Sequence, residues 1–211
     1  MSNKAVHRSI IIEGPIGVGK SSLTHKLADT LNLPTLLEKP AENPFLERFY
    51  KTPKQHALPT QLFFLFQRVH QISELKSSGA YIADFMLSKD PLFAGLTLSA
   101  EELDLYQNVY TSLSIDAPTP DLMIYLQAPV KVLRQRIKKR NIKFEQKMDT
   151  SYLQKLSDAY TDYFHHYTDS PLLIVNAAEF NPIDNVGHYQ NLVEQVHNIE
   201  AGKHFFNPLA T

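Results

Sequence analysis

Short, almost wholly apolar runs recur along the chain at 9–13, 35–38, 81–84, 122–127 and 172–176. Runs of this length without polar alternation suit strands covered on both faces, as in a parallel sheet. Between them, apolar positions return every three or four residues. That spacing predicts helices over 20–32, 44–51, 59–77, 99–114, 129–140, 149–168 and roughly 184–199. In the first of these, Leu23, Leu27 and Leu31 form the apolar stripe while Lys26 and Asp29 lie on the polar side. Ser99 and Glu102 make a capping box ahead of Leu103 and Leu105. Pro118 and Pro120 punctuate the approach to the fourth strand, and Pro129 suits the first turn of the helix after it. Strands alternating with helices predict an α/β fold with five parallel strands and helices on both faces. In such sheets ligands bind outside the carboxyl ends of the strands. Residues 14–21, Glu38, Asp84 and the loop after Asn176 then share one rim. There is no internal repeat and no low-complexity segment.

The first strand runs into Gly14-Pro15-Ile16-Gly17-Val18-Gly19-Lys20-Ser21, followed by Ser22 at the start of the first helix. Strand, G-x-x-x-x-G-K-S and helix in that order is the context of a phosphate-binding P-loop. The glycines let backbone N–H groups turn inward around phosphate oxygens, and the helix N-terminus adds its dipole. Lys20 would reach the β- and γ-phosphates, and the Ser21 hydroxyl would bind Mg²⁺. The chain is therefore expected to bind a nucleoside triphosphate. A formal net charge of −1, with Lys and Arg clustered in one place only, argues against a nucleic-acid surface. At 211 residues without cysteine, one domain with a sizeable core and no disulfide or Cys-based zinc site is expected. Residues 1–8 are short and polar, and no apolar stretch approaches membrane-spanning length, so a cytoplasmic setting is expected.

Further residues carry candidate chemistry. Glu38 ends the second apolar run and reads either as a proton acceptor on the rim or as an exposed loop glutamate. Asp84 ends the third run, where it supports Mg²⁺ in P-loop enzymes or caps a helix. Arg136 and Arg140 are four apart and share a helix face ahead of a polar, flap-like segment, 141–149. Guanidinium groups there would clamp a transferring phosphoryl group, whereas Lys131, Lys138 and Lys139 read as a solvated face. Gln61 and Arg68, two helical turns apart, read as a base-reading pair or as two surface polar residues. His165 and His166 are adjacent, point apart on a helix, and read as packing residues rather than metal ligands.

Taken together, these motifs resemble the deoxynucleoside kinase family over most of the chain. The likeness runs through Ile12-Glu13-Gly14 to Ser21, Glu38-Lys39-Pro40, Asn43-Pro44-Phe45-Leu46, Phe49-Tyr50, Gln61 to Arg68 and Ser88-Lys89-Asp90. It continues through the Arg136 and Arg140 helix, Glu145-Gln146, Tyr152-Leu153 and Val175-Asn176. The resemblance implies a three-layer P-loop kinase fold with a lid at about 136–148, and transfer of the ATP γ-phosphate to a deoxynucleoside 5′-hydroxyl. It makes Glu38 the general base, Tyr50 and Glu145 the 3′-hydroxyl pair, and Gln61, Arg68 and Asp90 the base-reading set. Arg136 and Arg140 become lid arginines, and the segment beginning at Asn176 lies against the donor adenine. ATP and Mg²⁺ as cofactors, a homodimer, and a purine acceptor, deoxyadenosine in particular, are further implications. Two departures stand out. The family usually has Asp-Arg or Glu-Arg where this chain has Asp84-Phe85, leaving Lys89 or Lys39 as the replacement cation. Ile142 stands where a third lid arginine is common. The alternatives are a thymidylate-like monophosphate kinase, holding the acceptor phosphate with Arg68 and Arg48, and a non-catalytic nucleotide sensor. Phe205 and Phe206 are expected to dock against the domain at an unspecified place.

Overall fold

A computed structural model of the chain describes residues 7–75, 79–113, 115–182 and 185–207. Most of the N-terminal segment and residues 76–77, 114, 184 and 208–211 of the predicted elements and C-terminal segment lie outside these. The sheet is parallel throughout, in the order β2-β3-β1-β4-β5-β6. Its strands are β1 (Ser9–Glu13), β2 (Thr35–Leu36), β3 (Tyr81–Ala83), β4 (Leu122–Gln127), β5 (Leu172–Asn176) and β6 (Lys203–Phe206). The helices are α1 (Lys20–Leu31), α2 (Leu46–Lys51), α3 (Pro53–Leu75), α4 (Lys89–Thr97), α5 (Ala100–Ser112), α6 (Val130–Arg140), α7 (Thr150–His166) and α8 (Val186–Asn198).

Alternation along β1 sends its isoleucines to opposite faces. Ile10 and Ile12 join Leu23 and Leu27 of α1, Leu133 and Ile137 of α6, and Leu192 of α8. Ile11 joins Leu156, Tyr160 and Phe164 of α7 on the other face. With both faces covered, the apolar runs of the sequence are explained. A third cluster, including Leu65, Phe85, Ala94 and Tyr106, knits α3, α4 and α5 together.

The sheet has six strands where five were expected. β6 pairs in parallel with β5, from Leu172 beside Lys203 to Val175 beside Phe206. It is an edge strand whose Lys203, His204 and Phe205 are exposed, so its sequence carries no buried-strand signature. α4 is also absent from the sequence reading. α3 begins at Pro53 and carries Pro59 in its interior rather than near its start. The early turns persist because Ala57 packs against Leu46 and Phe49, so tertiary contact outweighs the lost backbone donor. Asn32 and Asn141, both left-handed at φ 53° and 57°, stop α1 and α6. No helix among the described residues is long and apolar enough to cross a membrane.

Candidate active site

β1 delivers the P-loop. At its end Glu13 is fully buried, and its Oε2 accepts from the Gly14 amide (3.0 Å) and the Tyr160 hydroxyl (2.9 Å). Its Oε1 accepts from the Met86 amide at 2.8 Å. A Cβ on Gly14 would lie 2.3 Å from the Leu126 carbonyl oxygen, and one on Gly17 would lie 2.8 Å from Ile137. The loop is thus pressed against β4 and α6 so closely that these positions exclude side chains. Lys20 donates to the Gly14 carbonyl at 2.8 Å. Burial and repulsion from Lys89 push its ammonium pKa down, against the pull of Glu13, Glu38 and Asp84.

Asp84 connects two parts of the rim. Its Oδ2 accepts from Ser21 Oγ at 2.5 Å and its Oδ1 from the Glu38 amide at 2.7 Å. The helix-capping alternative fails, because the residue preceding α4 is Ser88. Among the described residues no cluster of three or more His, Asp or Glu side chains forms a metal site. The Ser21 hydroxyl and Asp84 carboxylate are nonetheless hard oxygen donors side by side next to Lys20. Such a pair fits Mg²⁺, which binds through one or two protein oxygens with phosphate and water supplying the rest.

Glu38 is not an exposed loop residue. Its Oε1 accepts from Arg68 Nε (3.0 Å), from Arg68 Nη2 and from Lys89 Nζ (3.1 Å). Burial alone would raise its pKa, but Lys89 and Arg68 outweigh that and hold the carboxyl well below the usual range. Arg68 and Gln61 are both buried, which removes the surface-polar alternative for them. Arg68 Nη1 pairs with Asp90 Oδ2, while Gln61 Nε2 donates to the Asp90 carbonyl at 3.0 Å and to its Oδ1. Asp90 itself does not line the cavity. It sits fully buried behind Gln61 and Arg68 and is bonded to both. Burial pushes its carboxyl pKa up, with Arg68 opposing.

Of the two candidate replacement cations, Lys39 is exposed and pairs with Glu42 at 3.6 Å. Lys89 is 2% exposed and contacts Glu13 and Glu38. Across the cavity, Tyr50 stacks on Phe144 with centroids 5.8 Å apart. Glu145 accepts from Arg140 Nη2 at 2.5 Å. Arg136 falls in the helix expected over 129–140 and not in the polar segment after it. It lies within α6, whose Leu133 and Ile137 are core residues, and donates to the carbonyls of Val18 (2.9 Å) and Ala177 (2.7 Å). It ties the P-loop to the loop after β5. Asn176 is likewise a turn former, accepting from the Ala178 amide at 3.1 Å, while residues 178–182 line the cavity. Glu13, Tyr160, Phe64 and Phe93 are site residues the sequence reading gave no role. For Glu13 a signal existed, an acid between a β-branched strand and the first glycine.

Two cavities open from this rim. One lies between the P-loop, α6 and residues 178–182. The other lies between Glu38, Tyr50, Gln61, Arg68, Glu145 and Tyr152. Both are lined by Gly17, Lys20, Ser21 and Arg140, so they meet at the phosphate-binding lysine. A parallel α/β sheet with a P-loop and two cavities meeting at its lysine has the architecture of a P-loop phosphotransferase.

Comparison with known proteins narrows the class. The chain matches the deoxynucleoside kinase family over residues 10–200. It is 38% identical over 156 residues to a deoxyguanosine kinase of Bacillus subtilis, covering 72% of this chain and 75% of that one. A deoxyadenosine/deoxycytidine kinase of the same organism is 26% identical over 199 residues, covering 90% and 92%. The structure of an M. mycoides deoxyadenosine kinase superposes with a TM-score of 0.80 at 25% identity, covering 89% of this chain and 98% of that one. The chain belongs to the deoxynucleoside kinase family and is an ATP-dependent phosphotransferase.

Proposed function

We propose that this enzyme transfers the γ-phosphate of ATP to the 5′-hydroxyl of a purine 2′-deoxynucleoside. The observation that carries the reading is the meeting of two cavities at Lys20, Ser21 and Arg140, with Glu38 on the acceptor side. Glu38 takes the hydroxyl proton as the bond to phosphorus forms, and ADP leaves. Lys20 and Arg140 neutralise charge on the transferring group. Ser21 and Asp84 hold Mg²⁺, which when bound offsets the negative charge of the phosphates. Tyr50 and Glu145 take the sugar 3′-hydroxyl, while Gln61 and Arg68 present donors to the base edge with Asp90 fixing them from behind. Arg136 keeps the adenine-side loop against the P-loop. The chain acts as one domain, with a lid at about residues 136–148, and works in the cytoplasm as a homodimer.

The deoxyguanosine and deoxyadenosine kinases among its relatives favour a purine acceptor, with deoxyadenosine the first candidate. A monophosphate kinase is disfavoured because neither arginine expected to hold the acceptor phosphate is placed to do so. Arg68 is committed to Glu38 and Asp90, and Arg48 is exposed outside the lining. The test is incubation with γ-labelled ATP, Mg²⁺ and each natural deoxynucleoside or its monophosphate in turn. Label in a purine deoxynucleoside 5′-monophosphate is expected. Label only in a diphosphate, or ATP binding without any transfer, would refute the reading. Sedimentation of the purified chain tests the dimer.

A further inference from the structure

The first residue of α4, Lys89, is one of the most buried side chains of the molecule, at 2% exposed. A buried ammonium persists only where carboxylates surround it. Two do, from different strand ends: Glu13 Oε1 at 3.3 Å and Glu38 Oε1 at 3.1 Å. Glu13 is immobile, because amides of Gly14 and Met86 and the Tyr160 hydroxyl already hold both its oxygens. Lys89 is therefore anchored on the β1 side, and Glu38 hangs from it. The neighbouring position cannot substitute, since Phe85 is buried in the apolar cluster with Leu65 and Tyr106. Its ring approaches the ammonium at 5.9 Å without offering a charge to Glu38.

All three side-chain donors to Glu38 converge on Oε1: Lys89 Nζ, Arg68 Nε and Arg68 Nη2. We infer that Lys89 is the positioning residue of the proton acceptor, pinning Oε1 of Glu38 to the end of β1 so that Oε2 faces the substrate hydroxyl. The inference rests on the function proposed above. Arg68 gives the other two of these bonds, but its Nη1 arm is engaged by Asp90 and its guanidinium lies over the Phe64 ring, so it ties Glu38 to α3 and α4 and not to the end of β1. The side-chain ion pairs of Lys89 are to Glu13 and Glu38, so its hold on Glu38 does not depend on the base. The ionisable groups around it are Glu13, Lys20, Glu38, Arg68, Asp84, Asp90 and Tyr160.

The test is Lys89→Met beside Lys89→Arg, both read by kcat, KM and the pH profile. Lys89→Met is expected to lower kcat about 10²-fold, the scale of a misplaced catalytic group, with the KM for ATP nearly unchanged. The acid limb of kcat/KM should move to higher pH, and Lys89→Arg should restore most of both. If stranding Glu13 prevents folding, Glu13→Gln/Lys89→Met removes the unpaired carboxylate and should still show the raised acid limb. A folded Lys89→Met enzyme with unchanged kcat and acid limb would overturn the inference. Carbon-13 titration of the Glu38 carboxyl, assigned against Glu38→Gln, needs no turnover. A midpoint that rises in Lys89→Met supports the role of Lys89 even if the wild type phosphorylates no deoxynucleoside, and an unmoved midpoint refutes it.

Discussion

Replacing Glu38 by glutamine should separate chemistry from stability in this site. The buried cluster contains four acids, Glu13, Glu38, Asp84 and Asp90, and three cations, Lys20, Arg68 and Lys89. Glu38→Gln removes one negative charge and brings the two signs level. Arg68 keeps Asp90 and Lys89 keeps Glu13, so neither cation is stranded. The amide oxygen still accepts from both, in bonds assisted by charge on the donor alone instead of on both partners. Three weakened bonds, partly offset by the improved charge balance, amount to about 1–3 kcal/mol of lost stability. Removal of a general base lowers kcat about 10²–10⁴-fold, or ~3–5 kcal/mol of transition-state stabilisation. ATP affinity should hold, because Glu38 lines the acceptor cavity and not the donor cavity. The assay is single-turnover transfer with ATP binding and thermal unfolding on the same preparations. A kcat within tenfold of wild type, or a loss of ATP affinity matching the loss of kcat, would refute the assignment. Acid sensitivity supplies a second check. Glu38 titrates below its ordinary 4.5 when folded, so its stabilisation is present above that pH and fades as the pH falls through the folded value. The glutamine variant should therefore lose less stability than wild type on acidification below 4.5.

The remaining predictions follow from single contacts. Gly17→Ala drives a Cβ to 2.8 Å from Ile137 and 3.0 Å from the Leu133 carbonyl oxygen at a φ of +85°, so ATP binding measured by calorimetry should collapse. Arg136→Met leaves the Val18 and Ala177 carbonyls without their donor, and should raise the KM for ATP while costing about 1–3 kcal/mol in thermal unfolding. Phe206→Ala removes the ring that packs edge-on against Phe180 at 5.9 Å, below the donor-side loop. It should cost about 3–5 kcal/mol and weaken ATP more than the acceptor, and equal losses for both substrates would contradict the buttress. Arg68→Lys abolishes the fork that spans Glu38 and Asp90, and should raise the acceptor KM more than tenfold, roughly, in initial-rate kinetics.

The parts of this site that sequence makes legible are those fixed by local rules. Lys20 and Ser21 sit where a strand, a glycine turn and a helix must put them, and Glu38 and Asp84 follow apolar runs whose carboxyl ends face the rim. The parts that stay hidden are set by partners far along the chain. Nothing local distinguishes Lys89 from Lys39, since each follows a short apolar run and precedes a turn or helix. One is buried because Glu13 and Glu38 converge on it, and the other is exposed beside Glu42. The bonds of Asp90 to Gln61 and Arg68 depend on the depth of α4, a helix the apolar spacing hides because Leu92, Phe93 and Leu96 are only partly buried. β6 escapes for the same reason, since an edge strand owes its pairing to β5 and only Phe206 to the core. The hidden residues share one property: each holds another side chain of the site or its surroundings in place. Glu13 anchors Lys89, Lys89 anchors Glu38, Asp90 orients Arg68, and Phe206 supports Phe180. With Phe85 buried beside Asp84, Glu38 still has a cation in Lys89, because the charge on a carboxylate is met at a point in space and not at a point in the sequence.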